Sequence, residues 1–136
     1  MSIKYNVHVG EYAESHYIKD FSKKYKKERE YTFFTIVKML EHLDNFLWDT
    51  KIEIIHQTSD TRFQILKGEF SVAKSNISPH ASWNRYILLV DRENKTCTIL
   101  LLYHKSHIEK KMQETKWWQL RIKNEYKEIK ALFPNL

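Results

Sequence analysis

Hydrophobic and polar positions change their rhythm three times along the chain. Ile3, Tyr5, Val7 and Val9 alternate with Lys4, Asn6 and His8, the period of a short half-buried strand, which Gly10 then closes. From Glu11 the spacing turns helical, with Tyr17, Phe21 and Tyr25 on one stripe. A second helix is predicted from about Tyr31, its buried face marked by Phe33, Ile36, Val37, Leu40, Leu43 and Leu47. The polar stretch between them is short, so the two helices are expected to form an antiparallel hairpin.

After Asp49 the period falls to two. The predicted strands are Lys51 to Gln57, Arg62 to Lys67, Glu69 to Lys74, Arg85 to Asp91 and Thr96 to His104. The last two carry apolar residues at successive positions, as central strands covered on both faces do. The polar link DRENKT joins them as a hairpin. With its turn centred near Glu93 to Lys95, Arg85 falls opposite Leu102, Tyr103 or His104. The tail returns to helical spacing through Ile108, Met112, Thr115, Trp118, Ile122, Tyr126, Ile129 and Phe133. Ser106 with Glu109 has the spacing of a capping box, and Thr115 offers a start for a separate, later helix. On that stripe Trp118 is expected to pack on the sheet and Trp117 to stay more exposed. The expected fold is α+β: an N-terminal strand and helical hairpin on a mainly antiparallel sheet, plus a C-terminal helix.

Composition narrows the class. A chain of 136 residues suits one domain, 1–136, with a C-terminal helical extension over about 106–133. With 42% hydrophobic and 14% aromatic residues, disorder is excluded as the overall state. The longest apolar run, Ile99 to Tyr103, is far short of the roughly 20 residues that span a bilayer. The segment MSIKYNVHVG lacks the apolar core of a signal peptide, so a cytoplasmic protein without a membrane partner is expected. Cys97 is the single cysteine, which excludes an internal disulfide and a cysteine-based metal site. Net charge is +6, with Lys23, Lys24, Lys26, Lys27 and Arg29 crowded into KKYKKER. Such a run favours a polyanion such as RNA, or serves only as a solvated helix face.

Candidate chemistry gathers where the last strand ends, in LLLYHKSHI. His104 and Lys105 lie at the same end of the sheet as Arg85. The loop before Arg85 brings Lys74, His80 and Asn84 to that end as well. These residue types suit cleavage of RNA by its own 2′-hydroxyl, which needs a base, an acid and cations around the phosphate. His104 can titrate near neutrality, and Arg85 can clamp a phosphate with its planar fork. Lys105, Lys74 and Lys67 can add charge, and the reaction needs neither metal nor cofactor. The plain alternatives are that His104 merely ends a strand, that Tyr103 caps the core and that Arg85 pairs with Glu69. His56, His104 and His107 have no HExxH spacing, which argues against zinc.

The segments YIKDFSKKYKKE, ILKGEFSVA, NRYILLVD and CTILLLYHKSHI, in that order, resemble the RelE/ParE toxin superfamily of bacterial toxin–antitoxin systems. The likeness covers about residues 3 to 108, and ETKWWQLRIKNEY looks like an extension of one RelE-like branch. It implies a small mRNA interferase that cleaves transcripts, often on the ribosome, and is neutralised by an antitoxin protein. By position Arg85 matches the superfamily's strand arginine, and His104 and Lys105 its terminal basic residues. Lys23, Lys24, Lys26, Lys27, Lys67, Lys74 and His80 are the expected phosphate contacts. Two departures stand out: the tyrosine that many RelE members carry near the C-terminus has no match, and the loop from Ser75 to Asn84 is long. ParE-type relatives share the fold but inhibit DNA gyrase without cutting RNA, and a degenerate member would only bind RNA. Fold alone does not separate these readings.

Overall fold

The two longest apolar runs of the chain become adjacent inner strands, the places in a sheet where both faces are most readily covered. The computed structural model of the protein describes residues 4–18, 28–45, 52–70, 82, 84–108, 111–134 and 136. Among them run β1 (Asn6–Val9), a π-helical segment (Ala13–Ile18), α1 (Arg29–Glu41) and a 3₁₀ turn (Leu43–Asn45). Next come β2 (Ile52–Gln57), β3 (Phe63–Phe70), β4 (Asn84–Asp91) and β5 (Thr96–His104). A second 3₁₀ turn (Lys105–His107), α2 (Glu114–Glu125) and α3 (Lys127–Leu132) complete the order. The architecture is the expected α+β one.

The sheet order is β1-β5-β4-β3-β2, with β1 parallel to β5 and every other pair antiparallel. The β4–β5 hairpin pairs Arg85 with Tyr103, within the expected range. Its register is set by Asp91 at the turn. The Asp91 carboxylate takes a two-pronged bond from Arg62 (3.1 and 3.2 Å) and accepts from the backbone N–H of Glu93 and Asn94. The Arg62 guanidinium beside it holds this carboxyl below the ordinary aspartate range, against the opposing push of burial. A lowered pKa places the stabilisation above the unfolded-state pKa and removes it as pH falls through the folded one. Melting temperature is therefore expected to drop between about pH 5 and pH 3, and less so in Asp91→Asn. Equal acid-side losses in the two proteins would rule Asp91 out as a contributor.

Two elements differ from the sequence expectation. The predicted strands on either side of Gly68 are one strand, β3. The glycine is no breaker; a Cβ there would run into the ring of Tyr86, the cross-strand partner. The C-terminal helix does not run continuously from residue 106. α2 begins after Gln113 without a side-chain cap, and Tyr126 (φ −130°, ψ 71°) divides α2 from α3.

That break has a tertiary cause. The Tyr126 hydroxyl donates to the carbonyl of Leu100 (2.7 Å) and accepts from the N–H of Tyr12 (3.2 Å). Leu100 sits at a bulge in β5, where the register slips between Ile87 and Leu88 of β4. A bulge leaves one residue out of the ladder, and here Tyr126 bonds its carbonyl.

The core gathers Ile65, Leu66, Tyr86, Ile87, Leu88, Leu101 and Leu102 from the sheet with Leu40 and Leu43. Trp117 and Trp118 both belong to it, at 2% and 0% exposed. Trp118 packs inward as expected, but Trp117 does not face solvent: its ring lies 4.9 Å from that of Tyr103. The expected first helix lies largely outside the described residues, and so do Lys23, Lys24, Lys26, Lys27, Lys74 and His80. No helix among the described residues is long and apolar enough to cross a membrane.

Candidate active site

Three strands deliver the polar residues at one end of the sheet. Glu69, Arg85 and Tyr103 are paired in one row across β3, β4 and β5, and Phe70, Asn84 and His104 in the next. Successive residues of a strand project to opposite faces. Glu69, Arg85 and Tyr103 therefore share a face with Lys67, two residues along β3, while Asn84 and His104 share the other. Arg85 and His104 meet at one end of the sheet but not on one face.

The Arg85 face is roofed by α2. Glu114, at its first turn, reaches down to the sheet, where its Oε2 lies 2.7 Å from Lys67 Nζ. The Tyr103 hydroxyl donates to the same oxygen at 2.6 Å. Burial pushes the Glu114 carboxyl up, but the bonds from Lys67 and Tyr103 and the charges of Lys67 and Arg85 outweigh it. The result is a carboxyl held below the ordinary glutamate range. The indole of Trp117 shields Tyr103, and the Arg121 guanidinium lies over that indole at 5.6 Å.

Arg85 is only 2% exposed, unusual for a residue type that is almost never buried unless paired. Its Nε is 3.7 Å from Glu69 Oε1, an ion-pair distance longer than a hydrogen bond, and one terminal nitrogen donates to the Asn84 carbonyl at 3.1 Å. The two-pronged fork expected for a phosphate is thus engaged within the protein. Lys67 and Glu69 form the rim of this face, their side chains 21% and 26% exposed.

On the other face His104 organises the strand end. Its Nδ1 accepts from the Ser106 backbone N–H (3.0 Å), and its backbone N–H donates to His107 Nδ1 (3.1 Å). The expected Ser106–Glu109 box falls partly outside the described residues, which do not include Glu109. An accepting Nδ1 assigns the proton of a neutral ring to Nε2. Lys105 opens the 3₁₀ turn beside it and is half-buried. Cys97 is fully buried, and burial pushes its thiol up to about 12, which leaves it inert as a nucleophile.

Glu114 was not legible as a site residue. Its partners come from β3 and β5, and no local spacing announces a contact made by helix docking. The one available signal was the tail's return to helical spacing just beyond the polar end of β5.

No protein-family model matches the chain, and no curated protein matches it in sequence. Among solved structures, a chain of the archaeal RelE–RelB complex from Pyrococcus horikoshii OT3 superposes with a TM-score of 0.52 at 14% identity. The fold is RelE-like. The superposition covers all of that chain and 79% of this one, so the RelE-like fold here carries additional segments. At that identity the likeness is one of fold, and the chemistry rests on the residues at the sheet end.

Proposed function

We propose that the protein is a RelE-like toxin: a metal-independent endoribonuclease that cuts mRNA through its own 2′-hydroxyl and is held in check by an antitoxin protein. The observation that carries this reading is the pair of cations, Lys67 and Arg85, fixed on one face of a rigid sheet end beside titratable groups. The RelE-like fold agrees with it, since the similar structure was solved as a complex of RelE with RelB. Lys67 stands at the rim, where a phosphodiester would meet it. Arg85, behind, adds positive potential in a site of low water content, where charge acts most strongly. His104 and Lys105 reach the substrate from the strand end. His104 gives a proton to the leaving 5′-oxygen from its imidazolium form, in which Nδ1 is protonated and lets go of the Ser106 N–H. An internal nucleophile needs positioning and proton transfer rather than a metal.

One observation favours a second reading, a non-enzymatic binder of gyrase or of RNA. Both cations already hold carboxylates, Arg85 with Glu69 and Lys67 with Glu114.

The two readings part in one experiment. Induced expression followed by mapping of transcript 5′ ends should show new cuts. Purified protein in EDTA should leave 2′,3′-cyclic phosphate and 5′-hydroxyl termini on a translated mRNA. Intact transcripts together with inhibited DNA supercoiling would replace the nuclease by the gyrase inhibitor.

A further inference from the structure

Glu114 is the one carboxylate of the sheet-end cluster whose bonds all run to strand residues while it stands on a helix. Its partners are a cation and a phenol, and both meet the same oxygen. Lys67 Nζ lies 2.7 Å and the Tyr103 hydroxyl 2.6 Å from Oε2. Two donors from two strands fix the position of the carboxyl group, leaving Oε1 with lone pairs for a further proton. The side chain is 18% exposed, enough for a ligand to reach it and little enough to keep bulk water away. The backing is rigid as well: the Tyr103 ring is clamped by Trp117, which is one helical turn from Glu114 on α2.

This is the arrangement a general base requires, a proton acceptor held by orienting groups next to the charge that the transition state needs. The Tyr103 hydroxyl adds a second, charge-assisted bond to the oxygen that Lys67 holds. A group that must stay ionised and aimed gains from both. The charges of Lys67 and Arg85 keep it ionised at neutral pH.

We infer that Glu114 is the general base of the sheet-end site, accepting the 2′-hydroxyl proton of a ribonucleotide whose phosphate lies against Lys67, with Tyr103 and Lys67 as its positioning residues. The inference rests on the nuclease reading given above. In the step, the 2′-O–H proton passes to Glu114 and the 2′-oxygen forms a bond to phosphorus. The bond from phosphorus to the 5′-oxygen breaks, and that oxygen leaves with a proton from His104 or water. The products are a 2′,3′-cyclic phosphate and a 5′-hydroxyl. Lys67 moves its charge from the carboxylate to the phosphate as substrate enters. That transfer raises the basicity of Glu114 when a base is needed.

The test uses the purified full-length protein, a synthetic mRNA free and on ribosomes, and the same mRNA with one 2′-deoxynucleotide at the cut site. The wild type should cut the first RNA and spare the deoxy position. Glu114→Gln, which keeps shape and hydrogen-bonding capacity, should lose about 10²–10⁴-fold in kcat. Tyr103→Phe removes a donor that lowers the Glu114 pKa, so the acid limb of its rate profile should move to higher pH. If the wild type leaves both RNAs intact, the nuclease reading falls and this inference with it. A wild type that cuts, beside a folded Glu114→Gln protein that cuts as fast, overturns the inference alone. Faster cutting by Glu114→Gln also overturns it and makes Glu114 a plug over Lys67. Should Glu114→Gln fail to fold, an acid limb unmoved in Tyr103→Phe refutes the assignment.

Discussion

His104→Ala is expected to cut transcript cleavage by about 10²–10⁴-fold while the protein remains folded. The ring's structural work is local. It caps a three-residue 3₁₀ turn through the Ser106 N–H, a bond whose loss costs about 1 kcal/mol. That change leaves the core untouched, so circular dichroism and melting temperature should stay close to wild type. His104 projects from the face opposite Glu114, so it reaches a leaving oxygen only around the end of the strand. His107→Ala removes the reciprocal half of the cap and should weaken cleavage only modestly. A folded His104→Ala protein that cleaves at the wild-type rate would reduce the residue to a cap at the wet end of a strand.

The second large effect concerns stability. Trp118→Ala is expected to cost about 3–5 kcal/mol, because the side chain is fully buried and its removal opens a cavity between α2 and the sheet. Its ring stands edge-on to His56 of β2 at 6.2 Å. Among the described residues the buried indole N–H has no hydrogen-bond partner, and a group left so costs about 1–3 kcal/mol. Trp118→Phe removes that orphan together with some volume and should therefore cost much less than the alanine. Chemical denaturation of the two variants tests the ordering, and an alanine variant as stable as the phenylalanine one would overturn it. Since α2 carries Glu114, the alanine variant should also lose activity before it loses its fold.

The parts of the fold that were legible in the sequence share one property: their signal is local. The β4–β5 hairpin could be read because an alternating or continuous apolar run stands on each side of a short polar turn, and the pairing of Arg85 with Tyr103 follows by counting. Gly68 misled because a glycine between two alternating runs signals a break, whereas here its missing side chain makes room for the Tyr86 ring. Trp117 misled because neighbours on a helix differ by about 100° in direction, and a helix lying deep on a sheet buries both. The break at Tyr126 depends on hydrogen bonds to Leu100 and Tyr12, residues far away in sequence. In the candidate site, Arg85, Lys67 and His104 were legible as chemistry at a strand end. Their division between two faces needed the register, and Glu114 needed the docked helix.

The parallel pairing of β1 with β5 has a consequence for the order in which the molecule can be assembled. Asn6 pairs with Thr96, and Val9 with Ile99, far along the chain. Of the five strands in this sheet, the one made earliest is therefore the one that waits longest for a neighbour. Contacts so distant along the chain are slow to form, because most of the polypeptide must be ordered before they repay the loss of freedom. Glu114 is synthesised later still, after the strands that carry Lys67 and Tyr103. Lys67, Tyr103 and Glu114 come from β3, β5 and α2, so the cluster too is complete only once the last strand and the helix after it are in place.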